Sequence, residues 1–250
     1  MKSFLSRKIT SIRQVLAAAP RLSTLAPPIP GLQLSHDHQQ GGEELVICIH
    51  GLWRSKFAMG EVVKDMRSEG YSTLNVAYPS YSATLEEMVQ LLDGLILKYA
   101  ENYQKIHFVT HSLGGVILRQ LFNIRGLPKL GNVVMLAPPL RGSWIMDSLS
   151  ESPLIKLFGP AGKFLSGSSM LEMPQDLPPR LMIIMGDRPK ITFFKNVFGE
   201  VPNDGIVRVS SGRVEGGHEF LVMPIDHTLI NSDPEVLKIT KRFIVNGVIW

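Results

Sequence analysis

A chain of 250 residues, 44% hydrophobic and 19% charged, can build one large domain with a substantial core and is too apolar to remain disordered. It has no run of about eighteen apolar residues, which excludes an obvious membrane-spanning helix. Its single cysteine, Cys48, excludes a disulfide framework and a multi-cysteine zinc site. The net charge of +4 sits at one end: five of the 26 basic residues and none of the 22 acidic ones precede Asp37, so the body carries 21 against 22, net −1, and offers no footprint for nucleic acid.

In chain order, Leu5, Ile9, Ile12 and Leu16 recur at helical spacing, with Arg7, Lys8, Arg13 and Gln14 largely off that stripe. This predicts a short basic amphipathic helix. Its longest apolar stretch, residues 15–19, is too short for a secretory signal, so secretion by that route is not expected. Three readings stay open: packing on the domain, an organelle presequence if the source is eukaryotic, or peripheral membrane contact through residues 1–20. The expected location is otherwise cytoplasmic. Residues 26–31, Ala-Pro-Pro-Ile-Pro-Gly, read as a stiff connector, and His36-Asp37-His38 as a solvated polar loop rather than a metal site. The division is thus an N-terminal segment over 1–40 and one domain over 41–250.

From residue 44 strand and helix patterns alternate. Residues 45–49 form a continuous apolar run, as a strand buried on both faces does, with Cys48 inside it as a small hydrophobe. Residues 56–69 place Met59, Val62, Val63 and Met66 on one helical face. Residues 73–77 predict a strand. Thr84-Leu85-Glu86-Glu87 is a capping box ahead of Met88, Leu92 and Ile96 at helical spacing. Residues 106–109, 133–136, 181–185 and 220–223 predict further strands, residues 114–125 a helix, and Asp233-Pro234 the start of a last one. Residues 139–179 break the alternation. They are rich in Gly, Pro and Ser yet carry many large apolar side chains, and predict an insertion of short helices over the sheet edge, resembling a cap. The whole predicts one α/β domain on a doubly wound, mostly parallel sheet, with sites at the carboxyl ends of its strands.

Thr110-His111-Ser112-Leu113-Gly114-Gly115 lies between a strand and a helix pattern, the setting of a nucleophile elbow. Gly114 is small, as the sharp turn requires, whereas Thr110 stands where a glycine is usual and crowds the turn. Serine needs a base, and this order of elements calls for a late histidine. His227 follows the last predicted strand at its carboxyl end, while His218 precedes that strand and so falls at the wrong edge. His107 reads as a packed strand histidine, and His111 stands too close along the chain to serve Ser112 as base. The orienting acid is Asp187 or Asp204. Asp187 ends a predicted strand, whereas Asp204 sits in Asn203-Asp204-Gly205, a rigid turn suited to holding an imidazole, and is favoured. Asp226 adjoins His227 and is badly placed for its ring. Oxyanion donors are expected from the Leu113 N–H and, after the first strand, from the Leu52 N–H beyond Gly51. His50 reads as a brace for that loop.

Taken together, His50-Gly51, Thr110–Gly115, the Asn203-Asp204-Gly205 turn and His227 resemble the α/β-hydrolases of the bacterial lipase/esterase type. Small members classed as lipases or acetyltransferases/hydrolases share the His-Ser-Leu-Gly-Gly elbow, a Pro-Pro loop followed by Gly142-Ser143, and the Gly-Pro-Ala-Gly segment at 159–162. The resemblance spans roughly residues 44–245. It implies that the acid is Asp204 and that a threonine at the first elbow position belongs to the pattern. The expected function is hydrolysis of carboxylic esters, from small-molecule esters to lipids, by a monomer through Ser112, His227 and Asp204. Thioester or amide hydrolysis or acyl transfer could use the same triad, and a binding protein on this fold is the reading from another class. No phosphate loop, dinucleotide fingerprint or histidine pair at metal spacing occurs, so no cofactor and no metal are expected.

Overall fold

The computed structural model describes residues 36–127, 129–151, 153–167, 170, 176–189, 201–216 and 218–249. Residues 1–35, which carry the predicted basic helix and the connector, and residues 190–200 lie outside them. Among the described residues seven strands form one sheet: β1 (Asp37–Gln39), β2 (Glu44–Ile49), β3 (Ser72–Val76), β4 (Lys105–His111), β5 (Leu130–Leu136), β6 (Leu181–Gly186) and β7 (Glu219–Met223), in the order β1-β3-β2-β4-β5-β6-β7. Every neighbouring pair is parallel except β1–β3.

The apolar runs follow from coverage on both faces. In β2, Leu45, Ile47 and Ile49 enter one core cluster and Val46 and Cys48 the other, the two-residue alternation of a strand. Burial pushes the Cys48 thiol up to about 12, which keeps it unreactive. The first cluster is closed by α2 (Leu85–Ala100) and α3 (Leu113–Arg125), the second by α1 (Gly60–Ser68) and α7 (Pro234–Asn246). A 3-10 turn, Lys56–Met59, precedes α1, so the helix predicted over 56–69 divides in two. At the start of α2 the Thr84 side chain accepts from the Glu87 N–H at 3.2 Å and the Glu87 carboxylate accepts from the Thr84 N–H at 2.8 Å. Such a cap stabilises a helix by about 1 kcal/mol.

Two segments differ from expectation or refine it. Residues 37–39 are a strand, not a solvated loop: β1 pairs antiparallel with β3, Asp37 meets Arg67 at 3.1 Å, and His38 stacks on Tyr99 and bonds the Tyr103 hydroxyl at 2.8 Å. Three polar residues are too few for a readable alternation; the partner strand supplies the structure. The 139–179 stretch contains α4 (Trp144–Leu149), a 3-10 helix (Pro153–Phe158) and α5 (Gly159–Phe164). Met146, Leu149, Phe158, Ala161, Leu165 and Met170 are buried in the α2–α3 cluster. Gly159, at φ 63°, lies directly on the Tyr81 carbonyl oxygen, where no side chain fits. A last short helix, α6 (Val209–Gly212), follows the loop that carries Asp204. Among the described residues no helix is long and apolar enough to cross a membrane, and no cluster of three or more His, Cys, Asp or Glu could hold a metal ion.

Candidate active site

Between β4 and α3 a single residue, Ser112, makes the turn, with φ 52° and ψ −119°. A non-glycine residue in that region costs on the order of 1–3 kcal/mol and persists only where its surroundings enforce it. Here the Ser112 N–H donates to the Leu136 carbonyl at 2.8 Å and the Gly115 N–H to the Ser112 carbonyl at 3.0 Å. Both glycines that follow are required by space. A Cβ on Gly114 would lie 2.6 Å from the Ile49 carbonyl oxygen, and one on Gly115 would lie 2.9 Å from Pro138 Cβ and 3.2 Å from Thr110 Oγ1. The crowding expected from Thr110 is therefore relieved by Gly115, whose missing side chain leaves room for the threonine. Leu113 opens α3, so its N–H, in the first turn, has no intrahelical acceptor.

The residues expected as acid and base, Asp204 and His227, lie in loops after β6 and β7, at the same carboxyl edge. Asp204 is fully buried. Its Oδ1 accepts from the Ile206 and Val207 N–H groups at 3.0 and 2.7 Å, and its Oδ2 lies 2.7 Å from His227 Nδ1. The Asn203 side chain accepts from the Gly205 N–H at 2.9 Å, which completes the rigid turn. The carboxylate holds the His227 proton on Nδ1 and leaves Nε2 as the basic nitrogen. Asp226 is engaged elsewhere, accepting from the Thr228 N–H at 2.9 Å and the Thr228 hydroxyl at 2.6 Å. Asp187, the other sequence candidate, is exposed, and its N–H donates to the Met223 carbonyl at 3.0 Å. His218 lies at the opposite end of β7, edge-on to Phe220. His107 is packed between strands, joined to Glu44 and to the Asn132 N–H, both at 3.0 Å.

The loop after β2 lies against Ser112. A Cβ on Gly51 would lie 3.0 Å from Ser112 Cβ, so any larger residue would press on Ser112, and Leu52 follows, half-buried. His50 braces the loop. Its Nδ1 donates to the Gly51 carbonyl at 2.9 Å, its ring stacks on Tyr78 at 4.1 Å, and the Tyr78 hydroxyl donates to the His50 carbonyl. Burial lowers its pKa to about 4, so it stays neutral. Three further side chains lie here: Trp53 and Arg54, to which the sequence assigns no task, and His111, which it sets aside as base. Trp53 stacks on Phe158 at 4.9 Å and joins this loop to the 139–179 stretch. Arg54 is buried in the same loop; burial lowers its pKa and the Asp226 carboxylate opposes that shift. The third is His111, whose ring lies 4.9 Å from that of His227.

Solved structures of similar fold include a lipase, a phospholipase and an esterase. A lipase from Bacillus licheniformis in its mature form shares 18% identity over 88% of this chain and 93% of its own, with a TM-score of 0.63. The phospholipase PlaB from Legionella pneumophila, in complex with thio-NAD, shares 16% over 81% of this chain and 58% of its own, with a TM-score of 0.64. A thermophilic esterase from Thermogutta terrifontis shares 16% over 92% and 99%, with a TM-score of 0.58. At these identities the likeness is one of fold. The sequence pattern of the family described as alpha/beta hydrolase matches residues 46–226, from within β2 to the residue before His227. The parallel sheet, the turn at Ser112 and that match agree: the chain belongs to the alpha/beta hydrolase family.

Proposed function

We propose that this protein hydrolyses carboxylic esters through Ser112, His227 and Asp204. The observation that carries the reading is the buried Asp204–His227 pair, 2.7 Å apart, at the sheet edge where the strained turn presents Ser112. In the first step His227 Nε2 takes the Ser112 proton as Oγ attacks the ester carbonyl carbon. The Leu52 and Leu113 N–H groups stabilise the oxyanion; one such donor is typically worth about 3–4 kcal/mol. The protonated His227, held by Asp204, then gives its proton to the leaving alkoxide, and an acyl-serine remains. Water repeats the sequence, delivering its proton to His227 and its oxygen to the acyl carbon, and Ser112 leaves with the proton. The Trp53–Phe158 stack beside Leu52 supports a medium or long acyl chain over acetate.

A fluorophosphonate probe tests this reading. Wild type is labelled and Ser112→Ala is not, and ester hydrolysis by the variant falls by a factor on the order of 10⁶ towards the level left by binding and the oxyanion donors. A folded wild type that takes no label and cleaves no p-nitrophenyl ester of any chain length rules the reading out.

A further inference from the structure

His111 has no task in the steps above, yet its imidazole is 1% exposed and stands between the loops that surround Ser112. Its Nε2 lies 3.0 Å from the backbone oxygen of His227. A carbonyl only accepts, so Nε2 carries the proton and Nδ1 the lone pair. Nδ1 has no hydrogen-bond partner among the described residues and faces Gly51, where a Cβ would come within 3.1 Å. Burial holds the ring well below the usual histidine range, and His227, Arg54 and His50 around it each disfavour a second positive charge. A buried polar atom with no partner is a cost that a phenylalanine would avoid, so the ring calls for a reason.

The backbone of His227 gives one. Its N–H donates to the Asp204 carbonyl at 3.0 Å, and its C=O accepts from His111. Residue 227 is thus tethered on one side to the acid loop and on the other to the residue next to Ser112. We propose that His111 is a positioning residue for the base: its Nε2–H, donated to the His227 carbonyl, sets the backbone from which the imidazole spans from Asp204 to Ser112. The proposal rests on the reading of Ser112 and His227 as nucleophile and base.

Three substitutions in the full chain separate this from simple packing. In His111→Gln the amide nitrogen reaches the place of Nε2; in His111→Asn it reaches only that of Nδ1; His111→Phe keeps a ring with no donor. The expected result is a glutamine variant close to wild type. The Asn and Phe variants lose roughly 10²-fold in kcat at little-changed KM, the scale of a misplaced catalytic group, and label more slowly with fluorophosphonate. Circular dichroism and the thermal midpoint establish that each variant is folded, and the Gln/Asn contrast stands alone if Phe does not fold. Equal activity of wild type and the Asn or Phe variant overturns the proposal. So does a loss in all three, Gln included, that tracks their thermal midpoints. An unlabelled wild type overturns the parent reading and this one with it, whereas a labelled wild type with an equally fast Phe variant overturns this one alone.

Discussion

Asp204→Asn lowers kcat by about 10⁴-fold, the effect of putting the base of a Ser-His-Asp triad in its wrong tautomer, and leaves the fold intact. The fold survives because an amide oxygen can replace Oδ1, which accepts from the Ile206 and Val207 N–H groups at 3.0 and 2.7 Å. That choice puts the amide nitrogen where Oδ2 met His227 Nδ1 at 2.7 Å. A donor there requires a lone pair on Nδ1, so the imidazole carries its proton on Nε2 and cannot take one from Ser112. The flipped amide would restore the tautomer but aim its nitrogen at two backbone N–H groups in a fully buried place. The check is kcat on p-nitrophenyl esters together with the thermal midpoint. A fall of less than tenfold in a folded variant would remove Asp204 from the triad and bring Asp187 back.

Gly114→Ala damages stability and activity together. Its Cβ would lie 2.6 Å from the Ile49 carbonyl oxygen and 2.8 Å from that of His50, both backbone atoms at the end of β2. No side-chain rotation relieves the clash; either α3 backs away or the end of β2 shifts. The first displaces the Leu113 N–H from Ser112, the second displaces Leu52, so the oxyanion donors separate either way. Overpacking of this kind costs about 1–3 kcal/mol, and the misplaced donors lower kcat by at least ~10²-fold. Gly94→Ala is the control, since nothing lies within 4 Å of a Cβ there, in the exposed middle of α2. That change should stabilise the helix by about 0.5–1 kcal/mol and leave kcat alone. Urea denaturation and esterase assays of both variants decide the matter, and an active, stable Gly114→Ala would mean that α3 does not press on β2.

Legibility varied with how local each cause was. The strands of the parallel sheet were readable because helices cover both faces and β2 must be apolar throughout. Thr84 and Glu87 spell out their reciprocal hydrogen bonds within four residues. The turn at Ser112 was readable for the same reason: its constraint falls on Gly114, two places on. The choice between Asp187 and Asp204 was harder, because both follow or approach strand ends. What separates them is which carboxylate keeps an oxygen free for His227 after satisfying its own turn. β1 was missed because three polar residues owe their conformation to β3, more than 30 positions away. Nothing near His111 in sequence announces that the carbonyl of residue 227 will lie against it, nor that Trp53 will meet Phe158.

Among the described residues β7 is the edge strand of the sheet, and none of its five residues is buried, while all six of its neighbour β6 are. His227 hangs from the far end of that strand. Proteins open in parts, and the parts with least buried surface open most often. An excursion that peels β7 from β6 would withdraw His227, the proposed base, while β4, Ser112 and both core clusters stay in place. The proposed catalytic constellation is therefore expected to be less durable than the body that carries it. On warming, esterase activity is expected to fall before the circular-dichroism signal of the body does.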